Sequence, residues 1–312
     1  MTHFDQNQLP GIFALVGNTP MVDVEILTPE KRQLCLSLKL EGANPSGSLK
    51  DRAAVWILKD MISRGILREG STLLDASSGN MASALALFGK SLGLRVHVIC
   101  GPTLTAEKQR YLELLGAHMI VSDLGPYTYD AYRMCLSLMS TTRSIDYCFT
   151  DQLHNPLNPR SHEMTTGPEI MRQRPNVKAI VGSLGSGGTM TGIGRYVRSQ
   201  NINVSLVAVS SSVGVRFPGV AAYEDGEYKT PFVLAAEAEG LFSDRELVDR
   251  AEVVMMMRQL AQKGILLGPQ GGAVASGAVK YADRHKVSDN VVAITGDALW
   301  KNLDYVSDIL VV

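Results

Sequence analysis

From residue 36 onward this 312-residue chain repeats one pattern, a short apolar run followed by a longer segment with apolar residues at helical spacing. Residues 36–40, 72–76, 95–100, 118–122 and a short run near Tyr147 read as strands, and 51–64, 81–92, 106–115 and 129–141 as helices. After an irregular Asn- and Pro-rich stretch at 154–159 the alternation restarts, with strands at 177–181, 204–210 and 290–295 and helices at 189–199, 243–263 and 272–285. Repetition of this kind favours parallel pairing, because each helix carries the chain back across the sheet. The expectation is an α/β protein built of two open, parallel-sheet α/β lobes with a cleft between them. The segment 211–240 has weak periodicity and reads as a loop covering a cleft or an interface.

Composition narrows the function. With 30 basic and 31 acidic side chains the formal net charge is −1, and no run of like charges marks a nucleic-acid or acidic-membrane binder. A small molecule is the expected partner. No apolar stretch approaches membrane-spanning length, and the first residues lack a basic segment followed by an apolar one. Cys35, Cys100, Cys135 and Cys148 are widely spaced without a Cys-x-x-Cys pair, which reads as reduced thiols in a cytosolic protein. The six histidines show no ligand spacing, so no metal site is expected.

Glycine is unevenly spread, and three glycine-bearing turns stand at helix starts. Gly182-Ser183-Leu184-Gly185-Ser186-Gly187-Gly188-Thr189 follows an apolar strand and opens a helix, so its N–H groups present a seat for a phosphate monoester. A tight turn that merely needs small residues is the alternative. Asn44-Pro45-Ser46-Gly47-Ser48-Leu49-Lys50-Asp51-Arg52 delivers a lysine to a helix N-terminus, where a cation is disfavoured and a neutral amine, fit for Schiff-base chemistry, is favoured. A solvated first-turn lysine would look the same. Asp75-Ala76-Ser77-Ser78-Gly79-Asn80-Met81 repeats the anion-seat design with hydroxyls suited to a carboxylate, or else caps its helix through Ser77 or Ser78.

Their order carries more than each alone. Gly17-Asn18-Thr19-Pro20, the turn into Lys50, Ser78-Gly79-Asn80, Asn155-Pro156-Leu157-Asn158-Pro159 with Thr165-Thr166-Gly167-Pro168-Glu169-Ile170, and Gly185 to Thr189 resemble the cysteine synthase and cystathionine β-synthase family. These are pyridoxal-phosphate enzymes of the tryptophan-synthase-β fold, fold type II. The resemblance implies pyridoxal 5′-phosphate held in the cleft between a smaller, mobile lobe at 48–150 and a larger lobe of 1–47 and 151–312 that carries the phosphate loop. It implies that Lys50 bonds covalently to the cofactor and later moves the substrate α-proton, and that Asn80 holds the cofactor's 3′-oxygen. Gly185, Ser186, Gly187, Gly188 and Thr189 would bind the phosphate. Ser77, Ser78, Gly79, Met81 and Gln152 would hold the substrate carboxylate.

The reaction so implied is β-replacement on O-acetylserine or O-phosphoserine through an aminoacrylate, giving cysteine or a related β-substituted alanine. A cytoplasmic homodimer is the implied setting. A serine or threonine dehydratase, a diaminopropionate-type synthase of a specialised pathway and a non-catalytic scaffold are the competing readings. Three departures from the family pattern bear on substrate. Met81 replaces a threonine, which makes the carboxylate loop more apolar. Gln270, or Gly271 under a shift of one residue, stands where the family has a serine facing the pyridine nitrogen. Segment 211–240, with Arg216, and the stretch from Thr295 to Trp300 differ where the second substrate is expected.

Overall fold

A computed structural model describes residues 9–303 and 305, apart from Ser78, Thr103, Pro126 and Arg143. In chain order its elements are β1 (Met21–Leu27), β2 (Gln33–Leu40), α1 (Lys50–Ser63), β3 (Thr72–Ala76), α2 (Asn80–Ser91), β4 (Arg95–Cys100), α3 (Ala106–Leu114), β5 (Ala117–Val121), α4 (Thr128–Thr141) and β6 (Tyr147–Phe149). There follow α5 (Leu157–Met164), α6 (Thr166–Gln173), β7 (Ala179–Ser183), α7 (Gly188–Ser199), β8 (Ser205–Ser211), α8 (Pro231–Ala238), β9 (Asp244–Val248), α9 (Arg250–Ala261), α10 (Pro269–His285) and β10 (Val291–Thr295). The chain divides into two units, one of Met1–Val16 with Asn44–Asn158 and one of Gly17–Ala43 with Pro159–Val312.

The smaller unit is built on a parallel sheet ordered β5-β4-β3-β6. Every residue of β3 is buried, as expected of a parallel strand covered on both faces. Leu73 faces a cluster with Ile57, Leu58 and Leu85 of α1 and α2, whereas Leu74 and Ala76 face Ala131 and Cys135 of α4. Gly89 lets α2 approach the sheet closely: a Cβ there would lie 2.6 Å from Val96 Cγ2 and 2.9 Å from Leu73 Cδ1. Phe13 meets Phe88 edge-on at 5.0 Å between ring centroids, which brings residues 9–16 to this unit. The sequence reading put all of 1–47 with the larger lobe. Leu9, Ile12 and Val16 pack on the same cluster as Phe13, which sets 9–16 apart from 17–43.

The larger unit holds a six-stranded sheet ordered β1-β2-β10-β7-β8-β9, parallel except for β1 against β2. Helices α9 and α10 contribute to the core on one side, with Val253, Leu260, Val274 and Ala278. On the other side Ile170, Ile193 and Val233 of α6, α7 and α8 pack with Ile180 and Ile294.

Several elements differ from the sequence reading, which expected no helix at α5 or α6. The helix expected over 243–263 begins only at Arg250, because Asp249 and Glu252 form a reciprocal capping box. Residues before it form the edge strand β9, whose burial alternates along Asp-Arg-Glu-Leu-Val. The expected loop at 211–240 contains α8, started by Pro231 with Thr230 as cap. Strand β1 was not expected, and it pairs with β2 from Met21↔Lys39 to Leu27↔Gln33.

Candidate active site

In the smaller unit the turn before α1 is locked by an acid. The Asp51 carboxylate, fully buried, accepts from the Ser46 N–H at 2.7 Å and from the Ser46 hydroxyl. Gly47 adopts φ +82°, and its N–H donates to Asn44 O at 2.8 Å. This scaffold fixes the half-buried Lys50 at the first position of the helix. Burial lowers the Lys50 amine to about 8, and the negative charge of Asp75 only partly opposes this. The sequence argument foresaw a depressed amine from the helix end. Loss of solvation is the larger cause.

Asp75 had no role in the sequence reading. It closes β3 as a buried carboxyl group that accepts from the Ala76 N–H at 2.6 Å, from the Thr150 hydroxyl and from the Gln152 N–H at 3.4 Å. Burial raises it to about 7 despite those donors. The signal available in the sequence was an acid inside an otherwise apolar strand. Asp75 thereby brings 150–152 to the end of β3. Gln152 is held at two more points: Nε2 donates to Ala76 O at 3.0 Å, and its carbonyl accepts from Asn158 Nδ2 at 2.7 Å. One hydrogen of its amide remains for a ligand.

The serine-bearing loop is a helix start in its own right. Ser77 Oγ accepts from the Gly79 N–H at 3.3 Å and the Ala82 N–H at 3.2 Å, so this hydroxyl does act as a cap. Ser78 lies outside the described residues. A side chain at Gly79 would meet nothing within 4 Å, and Asn80 opens α2 half-buried. Met81 is different from its sequence reading: its side chain is 1% exposed and belongs to the cluster with Leu85 and Phe88. Only its main chain is available to a ligand.

In the larger unit the turn between β7 and α7 is built to face its N–H groups one way. The Gly185 carbonyl accepts from the Tyr223 hydroxyl at 2.9 Å and the Ser186 carbonyl from the Thr230 hydroxyl at 2.6 Å. With both carbonyls engaged by 223–230, the peptide planes are fixed; Gly187 has no side chain to cap the start of α7, and Ser186 Oγ accepts from the Gly188 N–H at 3.5 Å. Gly187 has φ +81°, and a Cβ there would lie 2.3 Å from Val233 Cγ2. A Cβ on Gly185 would lie 3.1 Å from Gly219 O. Thr189 is held by His162, whose Nε2 lies 3.2 Å from Thr189 Oγ1 and whose Nδ1 lies 2.9 Å from Thr166 Oγ1. A glycine-led helix start with pinned carbonyls fits a phosphate. The support that Tyr223, Thr230 and His162 give this loop has no local mark in the sequence, because it depends on segments that meet only in the fold.

Gln270, in the first turn of α10, joins this loop. Its Nε2 donates to Ser183 Oγ at 2.6 Å, and Ser183 Oγ reaches Gly219 O at 3.3 Å. Gly219 has φ +77°, and a Cβ there would lie 2.9 Å from Gln270 Oε1. Gly271 instead faces Leu267 and Thr295. Asp297 lies against Gly268 and accepts from Asn302 Nδ2 at 3.0 Å, so it supports the start of α10. Arg216 is exposed.

Two of the motif stretches are joined structurally. Glu169 accepts from Lys39 Nζ at 2.9 Å and from the Asn18 N–H at 3.0 Å, while Lys39 also donates to Thr19 O at 2.7 Å. Lys39 and Glu169 side chains are 0% and 7% exposed, and removing one partner of such a buried pair costs about 3–5 kcal/mol. The four cysteines are free thiols. No helix among the described residues is long and apolar enough to cross a membrane, and no metal-binding group of acids, histidines and cysteines was found among them.

Comparison with known proteins agrees with this chemistry. The profile of the family described as "Pyridoxal-phosphate dependent enzyme" matches residues 12–296. Cysteine synthase B of Salmonella typhimurium is 31% identical over 284 residues, covering 90% of each chain. Cysteine synthase B of Pseudomonas aeruginosa is 34% identical over 272 residues, 86% of this chain and 88% of that one. The crystal structure of O-ureido-L-serine synthase superposes with a TM-score of 0.83 at 25% identity, over 94% of this chain and 92% of the other.

Proposed function

The chain belongs to the family of pyridoxal-phosphate-dependent enzymes that includes the cysteine synthases, and we propose that it catalyses β-replacement on an O-activated serine, O-acetylserine or O-phosphoserine. Its product is then cysteine or a related β-substituted alanine. The observation that carries this reading is a lysine at a helix start whose amine is lowered to about 8. Such an amine is a nucleophile and a base near neutral pH.

The residues divide the work as follows. Gly185, Ser186, Gly187, Gly188 and Thr189 bind the cofactor's phosphate through main-chain N–H groups and hydroxyls. Asn80 holds the 3′-oxygen, and the neutral amide of Gln270 faces the ring nitrogen, with Ser183 fixing that amide. When bound, the cofactor supplies an electron sink for negative charge at the substrate α-carbon. Lys50 Nζ takes the proton from that carbon. Ser77, Ser78, Gly79, the Met81 N–H and the Gln152 amide orient the substrate carboxylate. Asp75 positions Gln152 from behind.

A cytoplasmic homodimer is the proposed setting, supported by the family resemblance and, for the compartment, by four free thiols. The test is product analysis by mass spectrometry after incubation with O-acetylserine or O-phosphoserine, with and without sulfide. Because one structural relative is an O-ureido-L-serine synthase, nitrogen and oxygen nucleophiles belong in the panel. A β-substituted alanine that forms only with a nucleophile, and not with Lys50→Ala, is the expected result. Pyruvate as sole product under every condition would overturn the synthase reading.

A further inference from the structure

The smaller unit carries a second concentration of chemistry, at the opposite end of its sheet from Asp75. Where β4 and β5 begin, a pocket of about 540 Å³ is lined by Lys90, Gly93, Arg95, His97, Gly116 and His118, together with the side chains of Leu94 and Val96. Four of these residues are basic and none is acidic. The strands are in parallel register, so His97 pairs with His118, and their rings lie 4.9 Å apart. Tyr147 OH, on β6, lies 3.0 Å from His97 Nδ1 and holds that ring.

Arg95 is preorganised without being neutralised. Its Nε donates to Thr72 Oγ1 at 3.1 Å and its Nη2 to Gly70 O at 2.7 Å, which leaves further guanidinium donors unspent. Lys90 lies over Gly116, its Nζ 3.2 Å from where a Cβ on that residue would sit. Gly116 has φ +76° and admits the lysine at no steric cost. None of Lys90, Arg95 and His118 forms an ion pair among the described residues. Elsewhere on the chain comparable cations are matched, as Arg284 is by Asp244 and Glu246. Burial chiefly, with the neighbouring His118 and Arg95 charges adding to it, holds His97 below its ordinary basicity.

We propose that this pocket binds a small multivalent anion, a phosphorylated or polycarboxylate metabolite, through Lys90, Arg95, His97 and His118. The fork of Arg95 matches either group in a bidentate manner, and two imidazole N–H donors beside it suit more than one oxygen. The pocket lies where β4 and β5 begin, whereas Asp75 to Asn80 stand at the end of β3, so within this unit it is at the opposite end of the parallel strands from the residues assigned to the reaction.

The test uses the cofactor-loaded enzyme, so that the phosphate loop does not compete. Sulfate, pyrophosphate and citrate are titrated while imidazole resonances are followed by NMR, with His97 and His118 assigned by H97Q and H118Q. Saturable shifts of both histidines are expected, and Lys90→Met or Arg95→Gln should weaken binding by about tenfold, the loss of one charge-assisted contact. Lys90 is exposed, so its variant separates lost binding from lost folding. Tighter pyrophosphate assigns a phosphorylated ligand and tighter citrate a polycarboxylate. Absence of a saturable shift, or equal affinity in both variants, would overturn the proposal.

Discussion

At the scale of single residues the account turns on Lys50 and what it costs. A lysine lowered to about 8 in the folded chain, against 10.5 for the free side chain, is penalised while it is charged. The penalty is full below about pH 8 and vanishes above pH 10.5, because the unfolded chain then loses its proton too. At neutral pH it is on the order of 3 kcal/mol. Lys50→Met in the cofactor-free protein should therefore raise the melting temperature at pH 7, and the gap should close between pH 8 and 10.5. Equal melting temperatures at pH 7 would mean that the amine is not strained. The sequence set Lys50 at a helix start and attributed a lowered amine to the helix end, whereas the cause in the structure is burial by distant segments, which is invisible in local text. Met81 shows the reverse. Its spacing to Leu85 and Phe88, four and seven residues on, already marked it as core.

At the scale of elements the phosphate loop is legible and its support is not. Gly185 and Gly187 announce a turn that needs small residues. Tyr223 and Thr230 lie in text without periodicity, and their value appears only when they are seen to hold the loop's carbonyls. Each such hydrogen bond is worth about 1 kcal/mol. Tyr223→Phe with Thr230→Val should weaken cofactor binding by the apoprotein by about tenfold in equilibrium dialysis. An unchanged dissociation constant would show that the loop needs no such support. The misread helix over 243–263 teaches a related lesson. The alternation in β9 and the Asp249–Glu252 box were both present in the text, and a long helical pattern beyond them masked the strand.

At the scale of the whole molecule, the parallel order of both sheets was legible from strand–helix alternation, and the family from motifs spaced over most of the chain. The split of residues 1–47 was not, because it depends on tertiary packing of Leu9, Ile12, Phe13 and Val16 against the core of α1 and α2. The motifs are of two kinds. Lys50 and the Gly185 to Thr189 loop are those to which we assign chemistry, whereas Gly17 to Pro20 and the Thr165 to Ile170 stretch are tied together by the buried Lys39–Glu169 pair. Net charge close to zero says nothing of the basic pocket, whose four basic residues are balanced elsewhere on the chain, nor of loop amides, which do not enter a count of side chains. The central claim, that Lys50 is the residue to which the cofactor is attached, can be tested most directly by borohydride reduction of the loaded enzyme followed by peptide mass spectrometry. The account predicts that the peptide containing Lys50 carries the reduced cofactor, and a label on another lysine, or on none, would contradict it.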